Sequence, residues 1–214
     1  MTDIRNSPAL QPRSPQQISY RPDIDGLRAI AVLAVVGFHV FPQWVKGGFV
    51  GVDVFFVISG FLISSLVFAE IGNAGFGFAR FYARRIRRLF PALIVVLAVV
   101  WCLGWVYLLP EDFMRLGKHI AGSAGFVANF VLWGESSYFD KAAAAKPLLH
   151  IWSLGVEEQF YLVLPLLWVL AWRLRIGIVA FTLVLIAASF ALNMDMMRSS
   201  PIGAFYSPLT RIWE

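Results

Sequence analysis

Charge is what this sequence has least of. Only 14% of its 214 residues are Asp, Glu, Lys or Arg, against about a quarter in soluble domains, while 59% are apolar. So few charges cannot clothe a soluble globule. With a mean hydropathy of +0.71, the composition points to helices that face lipid. Cysteine is nearly absent: Cys102 alone, inside an apolar run, excludes a disulfide framework and leaves the redox compartment unread. Neither His119 nor His150 has the partner spacing of a metal site, and no zinc motif, phosphate-binding loop or GxSxG elbow occurs, so no metal is expected. The first 25 residues lack an apolar signal-peptide core. They are polar and proline-rich, and residues 1–24 read as a disordered cytoplasmic tail.

The net charge of +5 does not spread over a nucleic-acid face. It collects in the tail (Arg5, Arg13, Arg21), in a dense cluster (Arg80, Arg84, Arg85, Arg87, Arg88) and in short connectors. Such placement orients membrane spans, because Lys and Arg resist translocation. The expected partner is therefore the lipid bilayer, with no nucleic acid.

At about 20 residues per crossing, the length allows five or six membrane segments in an all-α, polytopic transmembrane helix bundle. The first apolar segment runs from Leu27 to Val45, with Asp23 or Asp25 as its cap. The second runs from Phe49 to Ala69, so the two form a tight hairpin. Phe81 to Arg88 reads as an interfacial amphipathic helix and Pro91 to Leu109 as the third span. The tail and the arginine cluster then lie inside, which places the N-terminus in the cytoplasm. Ile120 to Trp133 is short and holds Gly122, Gly125 and Asn129; parity with Arg173 and Arg175 favours a re-entrant or interfacial segment. Leu148 to Trp172 and Ile176 to Leu192 are the remaining spans. The short Ala142–Ala145 run is the one low-complexity tract.

Four places could carry chemistry. Arg28 and His39 stand eleven residues apart, close to three helical turns, so they share a face about 16 Å apart. That spacing places His39 about halfway across the hydrocarbon. An imidazole held in a membrane is a functional candidate as a proton acceptor, or else a neutral hydrogen-bonding bridge between helices. Asp53, near the outer end of the second span, could orient His39 or bind backbone and water at the interface. Gly60, in the Ser59-Gly60-Phe61 step, offers close helix packing or a kink. Arg85 with Arg88, and Arg84 with Arg87, sit at i,i+3 and could fork around phosphate, or serve only as an orientation signal. Glu157 and Glu158, just before a span, could bind a polar acceptor or carry a proton, or simply favour a helix N-terminus.

These stretches, in this order, resemble acyltransferase family 3, the bacterial membrane O-acyltransferases that modify cell-surface sugars. The matching strings are Asp25-Gly26-Leu27-Arg28-Ala29-Ile30-Ala31 with His39, Gly51-Val52-Asp53-Val54-Phe55-Phe56-Val57-Ile58-Ser59-Gly60-Phe61, Arg84 to Pro91, Trp152-Ser153-Leu154-Gly155-Val156-Glu157-Glu158-Gln159-Phe160-Tyr161, and Phe205 to Glu214. The resemblance implies a catalytic His39 paired with Arg28, and Arg85 and Arg88, beside Arg84, as the cytoplasmic Arg-x-x-Arg element suited to the phosphates of acyl-coenzyme A. It also implies Glu157 as the family's acidic position. The implied reaction moves an acyl group, usually acetyl, from acyl-CoA to a carbohydrate hydroxyl at the bacterial inner membrane, with acyl-CoA as a substrate and no bound cofactor. Residues 25–214 would then be the N-terminal part of the membrane acyltransferase domain, lacking roughly its second half, so that activity of the fragment alone is in doubt. A transporter of an acyl donor or sugar-lipid is the competing reading, since it too needs polar residues at mid-depth and a basic mouth.

Overall fold

The structure is a computed structural model that describes residues 21–71, 76–136 and 146–214. Most of the expected tail, including Arg5 and Arg13, and the Ala142–Ala145 run lie outside the described residues. Among the described residues the chain is all-α: α1 (Pro22–Val40), α2 (Gly51–Ile71), α3 (Phe78–Tyr107), α4 (Pro110–Ala124), α5 (Ala128–Glu135), α6 (Trp152–Arg173), α7 (Ile178–Ser199) and α8 (Pro201–Tyr206), with short 3-10 turns at Gly48–Val50, Leu149–Ile151 and Pro208–Thr210. Four of these stretches are long and apolar enough to cross a membrane: Gly48–Ile71, Phe78–Tyr107, Leu149–Arg173 and Ile178–Ser199.

α1 differs from its expected span. It starts at Pro22, whose missing N–H costs nothing at the first helical position, and ends at Val40 rather than Val45. Asp23 and Asp25 therefore lie in the first turn, where they favour the helix dipole, and neither caps the helix. With Asp23, Asp25 and Arg28 in its first two turns and His39 near its end, α1 has an uninterrupted apolar stretch of only about 15 Å, short of the roughly 30 Å hydrocarbon core. The arginine cluster and the third span are also not separate elements. Pro91 lies inside one 30-residue helix, α3. Its ring accepts helical φ, and its missing N–H orphans only the Arg87 carbonyl. The 120–133 stretch is divided between α4 and α5 by a turn in which Phe126 adopts a φ of 55°.

α6 is the hub. Its residues enter all three apolar clusters or pack against them. Tyr161 and Trp168 join Ile63, Val67 and Phe81; Leu154 abuts the Leu93, Leu97 and Leu116 group; and Trp152 and Val156 meet Phe56 and Leu132. Burial of such side chains supplies about 1.5–3 kcal/mol each. α7 is the most exposed of the four, and Val179, Leu183 and Val184 on it are uncovered among the described residues.

Glycines set the register of the α1–α2 hairpin. A Cβ on Gly48 would fall 2.1 Å from the Ala34 carbonyl oxygen, and one on Gly51 would fall 2.5 Å from that of Ala31. The start of α2 thus rests on the middle of α1. Gly60 packs against nothing within 4 Å, so close packing is not its role. Gly51→Val is expected to lower the stability of the detergent-solubilised protein by about 1–3 kcal/mol, the cost of overpacking. Gly60→Ala is expected to be neutral or stabilising by up to about 1 kcal/mol, from helix propensity. Thermal unfolding of the two variants side by side checks both.

Candidate active site

The bundle centre holds charge. Arg85 of α3 is only 17% exposed, too buried for an unpaired guanidinium. Its Nε donates to both carboxylate oxygens of Glu158, at 2.8 and 2.7 Å, and its Nη2 closes on the same group. The Tyr161 ring lies beneath, 3.1 Å from the guanidinium carbon to the ring centroid. Adjacent residues on α6 point about 100° apart, so Glu157 is turned aside from Glu158 toward α2. It lies 3.6 Å from Arg85 Nη2 and accepts a 2.5 Å hydrogen bond from Ser59 of α2. One guanidinium against two carboxylates leaves a formal charge of minus one. Glu157 carries it toward a cavity of about 290 Å³ walled by Val32, Val35, Val36 and Val52.

The structure does not gather the expected arginines into a phosphate fork. Arg85 turns inward to Glu158. Arg84 pairs with Glu70 at 3.5 Å, and Arg88 stays exposed without an ion-pair partner among the described residues. Arg28 reaches Asp25 at 3.8 Å.

His39 is exposed near the end of α1, and its Nδ1 lies 2.8 Å from the Val35 carbonyl oxygen. A carbonyl only accepts, so Nδ1 carries the proton and Nε2 keeps a free lone pair. Asp53 does not orient this ring. Arg211, from the segment after α8, donates to Asp53 at 2.8 Å and to Glu214 at 2.8 Å. The hairpin register explains the separation. Gly51 faces Ala31, so His39 stands eight residues, about 12 Å, beyond that level while Asp53 descends the other way.

Two further polar networks brace the site. Gln159 donates to the Phe126 carbonyl at 2.8 Å and to Asn129 at 2.9 Å, and Asn129 donates to the Tyr206 carbonyl at 3.0 Å. This holds the α4–α5 turn and α8 against α6. Buried His119 bonds Glu135 at 2.7 Å, with Lys146 at 3.3 Å. Burial alone would raise the Glu135 carboxyl, but His119 and Lys146 outweigh it and hold it below its usual range. Sequence reasoning had singled out neither Tyr161, Glu158 as the partner of Arg85, nor Arg211. The i,i+3 pair Arg211 and Glu214 was the available signal for the last.

Comparison with known proteins gives a consistent picture. A family model described as "Acyltransferase domain" matches residues 21–207. The peptidoglycan O-acetyltransferase OatA of Listeria monocytogenes is 37% identical over 203 residues, covering 91% of this chain and 32% of its own length. YrhL of Bacillus subtilis, provisionally named a peptidoglycan O-acetyltransferase, is 36% identical over 209 residues, covering 93% of this chain and 32% of its own. A provisionally named O-acetyltransferase of Staphylococcus aureus is 34% identical over 203 residues, covering 92% of this chain and 33% of its own. The chain spans about a third of the length of the curated relatives it matches. No solved structure matches it.

Removing one member of a buried ion pair strands the other. Arg85→Met and Glu158→Leu are each expected to cost about 3–5 kcal/mol, and the double substitution less than their sum. A double-mutant cycle on detergent thermal stability measures the coupling, and additive losses would show that the pair does not hold α3 to α6.

Proposed function

This chain belongs to the acyltransferase-domain family, and from that premise we propose a membrane O-acyltransferase that moves an acyl group, acetyl first of all, from acyl-coenzyme A to a hydroxyl of a cell-surface or lipid-linked carbohydrate. The observation that carries this reading is the His39 tautomer. With Nδ1–H tied to Val35 O, Nε2 is the basic nitrogen, exposed and ready to take a proton. The names of OatA and YrhL favour a glycan of the peptidoglycan type as acceptor.

In the proposed reaction, His39 Nε2 removes the proton from the acceptor hydroxyl as its oxygen attacks the thioester carbonyl. The C–O bond forms, the C–S bond breaks, and the leaving sulfur recovers the proton held on the imidazole. The donor's shape fits the bundle. Ser59, at the Arg85 level, lies eight residues down α2 from Gly51, and His39 lies eight residues up α1 from Ala31. The two levels are therefore about 24 Å apart along the axis. Phosphates held by exposed Arg88 and its neighbours would need a long arm to bring a thioester to His39, and acyl-coenzyme A has one. On this reading Arg85 is a positioning residue that fixes Glu157 through α6, and Arg88 contacts the donor. The valine-walled cavity beside Glu157 offers that arm an apolar path.

The test uses the full-length protein in membranes, supplied with labelled acetyl-CoA and a glycan acceptor. His39→Ala is expected to cut transfer by about 10²–10⁴-fold, the usual contribution of a general base, with the amount inserted unchanged. Arg88→Ala is expected to raise the acetyl-CoA KM more than it lowers kcat. Normal transfer by His39→Ala would defeat the mechanism.

A further inference from the structure

We propose that the arginine-bearing start of α3 lines a water-filled vestibule that reaches the middle of the membrane and binds phosphate-bearing anions there. That the anion is the acyl donor rests on the transfer reading; the vestibule itself does not.

Three of the four candidate spans fix the frame. Ser59 of α2 meets Glu157 of α6, Ser64 meets Trp168, and Trp168 meets Phe181 of α7. In that register the stretches Gly48–Ile71, Leu149–Arg173 and Ile178–Ser199 begin and end at nearly the same two levels. Ser59 stands twelve residues, about 18 Å, from Ile71, and Glu158 stands fifteen residues, about 22 Å, from Arg173. A hydrocarbon core is about 30 Å thick, so the Arg85–Glu158 pair lies near its middle.

α3 runs antiparallel to α6, since Tyr82 meets the Leu162 carbonyl and Arg85 meets Glu158. Arg80, Arg84, Arg87 and Arg88 therefore climb from near the Ile71 level to just past the Arg85 level. Their spacing puts all four on one helical face about 100° wide, and all four are exposed among the described residues. With Arg85 they make five arginines against the carboxylates of Glu70, Glu157 and Glu158, which leaves two positive charges. Lipid does not accept a guanidinium at that depth.

α1 makes the same demand independently. Gly51 rests on Ala31, so Pro22, nine residues earlier, is level with Gly60 in the middle of α2. Arg21 and Asp23 are each more than half exposed there. The residues before Arg21 are polar and include Pro8, Pro12 and Pro15, a composition that needs water as far as this level. Packed protein could answer the arginines alone; water answers both. Arg21 and Arg28 are matched by Asp23 and Asp25, so the surplus positive charge belongs to α3, and guanidinium suits phosphate oxygens. The same frame puts His39 five residues, about 7.5 Å, beyond the Gly48 level, because Gly48 rests on Ala34. A donor held at the Ile71 surface would have to reach across the whole core to meet it, whereas the vestibule brings the phosphates halfway.

The positive-inside rule assigns the arginine end to the cytoplasm. The experiment places single cysteines in the full-length protein, its other cysteines removed, in membrane vesicles of both orientations. The probes are two membrane-impermeant methanethiosulfonates, one carrying a sulfonate and the other a trimethylammonium group. Arg88→Cys is expected to react from the cytoplasmic side only, about tenfold faster with the anion than with the cation. Inorganic pyrophosphate is expected to slow the labelling of Ala83→Cys, which keeps every arginine, by about tenfold. Should Arg88→Cys fail to insert, Arg87→Cys in the same turn replaces it. Silence of the deep cysteine while Ala83→Cys reacts would show it sealed by protein or lipid and overturn the vestibule. So would labelling from the opposite side, equal rates with the two probes, or no protection by pyrophosphate. Acetyl-CoA is expected to protect as pyrophosphate does. Protection by pyrophosphate alone would keep the vestibule and sink its use by the donor. Acetyl transfer by membranes whose deep cysteine stays silent would keep the transfer reading and sink the vestibule.

Discussion

A guanidinium cannot rest inside an apolar helix bundle unless a carboxylate rests against it, and the centre of this molecule is arranged around that requirement. Arg85 meets it through Glu158 on one edge and the Tyr161 ring beneath, which ties α3 to α6 at one level. The second carboxylate, Glu157, has no cation of its own and turns to Ser59, which brings in α2. Three helices are thus fixed by one charge and its surplus. Since α6 enters every apolar cluster, whatever sets its height sets the rest. Gln159, one residue past Glu158, catches the Phe126 turn.

The hairpin adds a constraint of a different kind. Gly48 and Gly51 let the α2 backbone come against the carbonyls of Ala34 and Ala31, and that contact has one register. A side chain at either position would slide the helices past each other and move His39 relative to everything on α2 and α6. α1 is not among the four stretches long and apolar enough to cross a membrane. Its charged first turns lie alongside α2, and its apolar end continues past the level where α2 begins.

Much of this was legible in the sequence. Composition alone named the class, apolar runs located α2, α6 and the start of α7 within a few residues, the Phe49–Ala69 expectation became Gly48–Ile71, and α7 runs on past Leu192 to Ser199. The errors share a cause. Proline was read as a boundary at Pro91, yet the arginines before it were already helical, and a lost N–H costs one bond rather than a helix. Neither alternative for Asp53, orienting His39 or binding backbone and water, included an ion pair. A one-dimensional reading cannot see a register set by glycines, nor an arginine arriving from more than 150 positions away, at Arg211. Arg85 and Arg88 looked alike by spacing. They differ because Arg88 stands one turn further along α3 and about 60° round, past the reach of Glu158, and only contact with α6 tells which of the two is paired.

Charge then distinguishes the two ends of the molecule. The first turns of α3 expose Arg80, Arg84, Arg87 and Arg88, so that end attracts phosphate. The Asp53, Arg211 and Glu214 cavity has a surplus of carboxylate and rejects it. Between them the surplus charge of Glu157 faces valines rather than a second arginine. On the proposed reading, a phosphate-bearing donor would therefore be drawn to the start of α3 and kept from the Asp53 end by charge alone.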